Sequence, residues 1–257
     1  MNLFHMRHAL VTTGLLALST VSLLPQTPTA PAPARTGGGM ADARPQLDTL
    51  TLPPGFSASV YAEGVQGARS MTLAPDGTLF VGTRRNVIYA VADRDRDGRA
   101  EAVREVPTTG LRTPNGLAFR DGALYIGELN RIVRIDRVLD AMKGDAPLAP
   151  TVVLDGLPSE TMHGWKYIAF GPDGYLYYQI GAPCNVCDRG TPFASIWRVK
   201  PDGTGNELYA SGVRNSVGMT WHPDTRALWF TENGRDMFGD ERPNDELNLA
   251  PRPGLPF

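Results

Sequence analysis

One ten-residue pattern recurs along this chain: an apolar run, a turn, then a second apolar run. It appears at Met71–Phe80, Leu117–Ile126 and Ile168–Tyr177, each copy with Asp-Gly at its turn. A fourth copy, Met219–Phe230, has lost the glycine. The aspartates at the turn, Asp76, Asp121, Asp173 and Asp224, are spaced by 45, 52 and 51 residues. Asp-Gly between apolar runs signals a hairpin, because glycine accepts the positive φ of a tight turn. The flanking Leu, Ile, Phe, Tyr and Val suit a pleated, half-buried surface. A further apolar run follows most copies, at Val87–Val91, Ile132–Ile135 and Ser195–Val199. Each unit therefore offers about four short strands. Units of this length and strand number predict an all-β chain, a β-propeller of four-stranded blades.

The pattern also predicts an arc rather than a ring. Three full units and the start of a fourth are present, about three and a half to four blades. The chain then runs out at Pro253–Phe257, which reads as a turn with no closing strand. The expectation is of a fragment that lacks C-terminal blades and is not active alone.

The first residues read differently. Arg7 and His8 precede an apolar stretch, Ala9–Leu24, and Ala32-Pro33-Ala34 offers a small-residue cleavage site. That is the layout of a secretory signal. The expected organisation is a signal peptide at 1–34, a flexible linker at 35–50 and a partial propeller at 51–257, in a periplasmic or secreted protein. No stable membrane span is expected after processing. A net charge of −2 leaves no electrostatic footprint for nucleic acid. The only cysteines, Cys184 and Cys187, are half of a four-Cys zinc site with no second pair. In an oxidising compartment a disulfide within one loop is the expectation.

Aligned on Leu73, Phe119, Phe170 and Trp221, the copies place Gln66, Arg112, His163 and Arg214 seven residues upstream. Equivalent positions of successive blades are expected to converge on one central pocket. A second equivalent set follows the second strand: Arg84-Arg85, Glu128-Leu129-Asn130, Gly181-Ala182-Pro183 and Glu232–Arg235. Beyond it lies Asp240–Asn248, whose carboxylates, amides and loop carbonyls are donors that suit Ca²⁺. Asp93–Gly98 matches the start of a calcium loop, but Arg104 stands where a bidentate Glu is needed. It reads as an Asp-rich turn with at most weak Ca²⁺ affinity.

From about Leu52 onward the chain resembles the secreted quinoprotein sugar dehydrogenases, the L-sorbosone dehydrogenase and soluble glucose dehydrogenase group. The resemblance rests on His163-Gly164-Trp165-Lys166 before Phe170–Gly174, on Gly212–Gly218, on Glu232–Asp236 and on Asn244–Asn248. The Cys184–Cys187 loop is similar to the sorbosone branch. The resemblance implies a six-bladed propeller that uses pyrroloquinoline quinone (PQQ) and Ca²⁺ to oxidise a sugar or sugar aldehyde by hydride transfer. Electrons then pass to an acceptor such as a cytochrome or a quinone. It implies His163 as general base and Arg214 as donor to the quinone oxygen where negative charge grows. Asn215, Gln66, Arg112 and Asn115 are implied as cofactor contacts, and Gly234, Arg235, Asp245 and Glu246 as the calcium site. One departure is Ala182, where glucose dehydrogenases carry an Asp. Two other classes fit the repeat: a propeller lactonase with a channel metal on Glu128, Asn130, Glu232 and Asn233, and a non-catalytic binding propeller.

Overall fold

The computed structural model of the protein describes residues 47, 49–144 and 146–257; the expected signal peptide and nearly all of the linker lie outside them. The described residues are almost entirely β. Blade one is β1 (Ala68–Leu73), β2 (Leu79–Thr83), β3 (Tyr89–Ala92) and β4 (Ala102–Glu105). Blade two is β5 (Gly116–Arg120), β6 (Ala123–Gly127), β7 (Ile132–Ile135) and β8 (Thr151–Leu154), interrupted by one helical turn, α1 (Val138–Ala141). Blade three is β9 (Ile168–Phe170), β10 (Leu176–Ile180), β11 (Ser195–Val199) and β12 (Glu207–Ser211). Blade four is β13 (Met219–Trp221), β14 (Leu228–Glu232) and β15 (Glu246–Ala250). Within each blade, strands pair antiparallel in chain order. This is the β-propeller the repeat predicts.

The repeated turn joins the first two strands of every blade. In blade two Asp121 and Gly122 both have positive φ, 50° and 78°, and Arg120 pairs with Ala123 across them. The fourth copy has no glycine, and Arg226 takes the left-handed conformation instead, at φ 58°. Its N–H is held by the His222 carbonyl at 2.8 Å. The hairpin survives at the cost of a strained non-glycine residue.

The aromatic marker of the repeat is what couples neighbouring blades. Phe119 stacks on Phe80 of blade one, with centroids 6.3 Å apart. Phe170 meets Tyr125 of blade two edge-on at 4.9 Å, and Trp221 meets Tyr177 of blade three at 4.9 Å. Such pairs contribute roughly 0.5–1.5 kcal/mol each beyond area burial. Around them three apolar clusters fill the spaces between blades, centred on Leu124, Leu176 and Leu228, each fully buried. Among the described residues no blade precedes blade one, and its marker Leu73 is 64 % exposed. Leu247, at the far side on β15, is 67 % exposed.

The C-terminal run departs from expectation. Leu255–Pro256 is a strand, β16, lying parallel on β12 with Ala210 opposite Leu255. The Phe257 N–H reaches the Ser211 carbonyl at 2.9 Å, and its ring packs edge-on against Phe230 at 5.0 Å. Two apolar side chains and a free strand edge outweigh the turn-forming residues around them. Cys184 and Cys187 are joined by a disulfide. No helix among the described residues is long and apolar enough to cross a membrane.

Candidate functional site

A cavity of about 310 Å³ lies among the chain segments that enter the first strands. Arg69, Arg84, Asn115, His163, Trp165, Tyr167 and Asn215 line it. His163 is held in it by the neighbouring loop. Its backbone is left-handed, at φ 52°, and its Nδ1 lies 2.7 Å from the Ala182 carbonyl. A carbonyl only accepts, so Nδ1 carries the proton, and in the neutral ring Nε2 keeps its lone pair. The Ala182 N–H is in turn fixed on the Arg214 carbonyl at 2.7 Å. Gly181 is required here, because a Cβ would stand 2.5 Å from His163 Cβ and 2.7 Å from its carbonyl oxygen.

The other walls are amide, aromatic and cationic. Asn115 is buried, and its Nδ2 donates to the Lys166 carbonyl at 2.8 Å. Its Oδ1 is buried without a hydrogen-bond partner among the described residues. The Arg84 guanidinium lies 3.7 Å above the Trp165 ring, a cation–π contact. Desolvation, and then the Arg69 charge, lower the Arg84 pKa.

The seven-residue ruler does not converge as expected. Of Gln66, Arg112, His163 and Arg214, only His163 lines this cavity. Gln66 is exposed and accepts from Arg85. Arg112 is exposed, and its backbone N–H is taken by the buried Glu128 carboxylate. Cavity residues instead lie four upstream of the marker, as Arg69, Asn115 and Val217. Seven residues upstream is loop, set by each blade's own capping contacts; four upstream is where the chain enters the inner strand.

Arg214 departs from its expected role for a clear reason. All three guanidinium nitrogens are already engaged: Nε with the Asn185 carbonyl at 3.0 Å, Nη1 with the Asn233 carbonyl at 2.8 Å, and Nη2 with Asn185 Oδ1 at 2.9 Å. Arg214 lines a separate cavity of about 630 Å³, beside the disulfide loop, while the next residue, Asn215, lines the cavity of His163. In this geometry Arg214 braces the disulfide loop instead of facing His163.

The expected calcium residues gather at that second cavity. Gly234, Arg235 and Glu246 line it, and Asp245 Oδ1 accepts the Gly234 N–H at 2.8 Å. Glu246 faces Glu232 across β14 and β15. Burial, and then the Glu246 charge, raise the Glu232 pKa, although the Arg214 N–H on its carboxylate works against this. Paired carboxylates beside loop carbonyls are a donor set that fits a hard cation. Among the described residues, however, the trio of acidic groups with ligand atoms closest together is elsewhere, at Asp93, Asp95 and Glu101. There the aspartates cap their own turn: Asp95 takes the Asp97 N–H, and Asp97 takes the Arg99 N–H. The lactonase set is not assembled. Glu128 is wholly buried and ion-paired with Arg131.

Residues 142–254 match the family model for glucose / sorbosone dehydrogenase. Over that stretch the chain is similar to the glucose/sorbosone dehydrogenases. The chain is 24 % identical over 213 residues to an aldose sugar dehydrogenase of Escherichia coli, across 78 % of this chain and 48 % of the relative. A Thermus thermophilus structure of an oxidoreductase described as a glucose dehydrogenase superposes with a TM-score of 0.55 at 25 % identity, over 75 % of this chain and 64 % of that one. The PQQ domain of pyranose dehydrogenase from Coprinopsis cinerea shares the fold, with a TM-score of 0.64 at 16 % identity, over 80 % and 57 % of the two chains. The chain spans about half the length of the curated relatives it matches.

Reading the sequence alone missed Arg69, Trp165 and Tyr167 as cavity residues. Arg84 was visible only as one charge in a mixed set. A four-residue offset from the marker identifies Arg69 and Asn115 directly.

Proposed function

We propose that this chain forms the substrate-oxidising part of a PQQ-dependent sugar dehydrogenase. Substrates are aldoses or sugar aldehydes, and the protein works in the periplasm or outside the cell with Ca²⁺ as a second cofactor. The observation that carries the reading is His163: Nδ1 is tied to a carbonyl, the ring lines a cavity, and the family's motif surrounds it. The cavity fits the quinone. Trp165 gives a flat wall, Arg69 and Arg84 match its carboxylates, and Asn115 Oδ1 has no partner. When bound, the quinone supplies a two-electron acceptor.

The chain's own residues do the rest. His163 Nε2 takes the proton of the anomeric hydroxyl as hydride leaves the same carbon, so an aldose departs as a lactone; a sugar aldehyde reacts as its hydrate, losing a hydroxyl proton and the hydride to give an acid. A neutral imidazole suits proton abstraction near pH 7. The Ala182 carbonyl holds the tautomer and steadies the imidazolium that forms. Asn115 and Asn215 orient polar groups, and Trp165 covers one side of the cavity. Glu232, Glu246 and the loop carbonyls at Gly234 and Arg235 would hold calcium in the adjoining cavity. Export is supported by the layout of residues 1–34.

The test uses protein carrying the rest of the ring, given PQQ, Ca²⁺, a panel of aldoses and a dye acceptor. Dye reduction is expected, with His163→Gln lowering kcat by about 10²–10⁴-fold while PQQ binding is retained. Absence of dye reduction with every sugar, in protein that binds PQQ, sinks the reading.

A further inference from the structure

Between its two cysteines the disulfide loop carries Asn185 and Val186. Val186 is 56 % exposed, whereas Asn185 is half-buried and lines the second cavity. The Asn185 amide pairs with the Asp236 backbone in both directions. Its Oδ1 accepts the Asp236 N–H at 2.8 Å, and its Nδ2 donates to the Asp236 carbonyl at 2.9 Å. Oδ1 also accepts from Arg214 Nη2 at 2.9 Å, and the Asn185 carbonyl accepts from Arg214 Nε at 3.0 Å. The two groups that face Oδ1 only donate, so the orientation of the amide is settled and both lone pairs are used.

These contacts complete the hold on the Asn233–Asp236 loop. On one side blade four holds it: the Gly234 N–H rests on Asp245 Oδ1, and a Cβ on Gly234 would stand 2.9 Å from Pro243 Cγ. On the other side Arg214 Nη1 donates to the Asn233 carbonyl, and Asn185 grips both Arg214 and Asp236. Immediately beyond Asp236 the chain enters solvent, where Met237 is 99 % exposed. Asn185 therefore anchors the loop at its solvent end, from a segment 51 residues away. The Cys184–Cys187 bridge closes a short ring around Asn185 and restricts the backbone that aims it.

We infer that Asn185 is a positioning residue: seated by the disulfide, it sets where the loop bearing Gly234 and Arg235 stands against the second cavity. The inference rests on the calcium reading of that cavity. It gives the disulfide loop a task separate from the chemistry at His163. Partners of this kind, which touch the loop that supplies ligands and not the ion, commonly control metal affinity.

Calorimetric titration of Ca²⁺ into the 257-residue chain tests this, together with thermal unfolding and metal-free amide hydrogen exchange. The proteins are wild type, Asn185→Ala, Asn185→Asp, Cys184→Ser/Cys187→Ser, and the triple variant with Asn185→Ala. Asn185→Ala keeps the backbone carbonyl but loses the three side-chain bonds. It is expected to weaken Ca²⁺ binding by about 10–100-fold, with exchange faster at Gly234–Asp236 and the melting temperature nearly unchanged. Asn185→Asp keeps both accepted bonds, so it restores most of the affinity and of the exchange protection. A contact that served only to stabilise the fold would lower the melting temperature and leave the affinity of the folded protein alone. The bridge variant is expected to lose about the same factor as Asn185→Ala, and the triple variant little more, because both changes act through one contact. The Asn185 variants decide the matter even if the bridge variant does not fold. Unchanged Ca²⁺ affinity in folded Asn185→Ala, or losses from bridge and side chain that add in full, overturns the inference and leaves the calcium reading intact. If wild type binds no Ca²⁺, the calcium reading falls and metal-free exchange decides the clamp. Protection at Gly234–Asp236 lost in Asn185→Ala and kept in Asn185→Asp then upholds it; equal protection in all three proteins overturns it.

Discussion

Lys166 offers a sharp test of how the site is supported. Its side chain is 1 % exposed, and its Nζ donates to the Gly164 carbonyl at 2.8 Å. Burial lowers its pKa from 10.5 to about 8, with the Glu160 charge offsetting a part. Between those two values the unfolded chain keeps a proton that the folded chain has released. Stability therefore rises with pH across that window, and the penalty is fully present below pH 8. At 1.36 kcal/mol per pKa unit the penalty is about 3 kcal/mol. Lys166→Met removes it but leaves the Gly164 carbonyl without its donor, a loss of about 1 kcal/mol. At pH 7 the variant is expected to be more stable by about 2 kcal/mol, a rise of roughly 4–8 °C in Tm. Above pH 10.5 the wild-type penalty has gone, and the variant becomes the less stable by about 1 kcal/mol. Urea unfolding followed by tryptophan fluorescence at pH 7 and pH 10.5 measures the difference between the two proteins. Other groups that titrate in this range are common to both and cancel. A difference independent of pH, or a variant destabilised at both values, refutes a charged Lys166 held in the core.

Two further outcomes follow from contacts around the cavity. Gly181→Ala sets a methyl group 2.5 Å from His163 Cβ, so the His163 turn must move. Dye reduction in the ring-completed protein should fall by about 10²-fold, with PQQ affinity and melting temperature changed far less; an active variant would show that His163 is not held by this packing. Glu128→Ala strips the partner from both the Arg112 N–H and the Arg131 guanidinium. It should cost about 3 kcal/mol in urea unfolding, and a loss under about 1 kcal/mol would mean water replaces that carboxylate freely.

The fold was legible because one short pattern performs two jobs at once. Asp-Gly sets the hairpin, and the aromatic residue just before it packs on the preceding blade, as Phe119, Phe170 and Trp221 do. A feature with two structural duties leaves a regular trace, which even the loss of glycine at Arg226 does not erase. The β16 strand left no such trace, because its pairing with β12 depends on a distant edge and two apolar side chains.

The site was legible only where backbone geometry repeats. His163 and Arg214 occupy equivalent loop positions, yet one ring lines the cavity and the other guanidinium is drawn to Asn185 and Asn233. In a loop, the side-chain direction is decided by whichever partner lies within reach, and spacing along the chain carries no information about that. At the entry to the inner strand the pleat takes over and fixes direction. Arg69 and Asn115, four residues before the marker, point inward for that reason. The same rule places position four of any further blade at this cavity. The residues found there in a longer chain thus decide what faces Arg69 and Asn115 across the cavity.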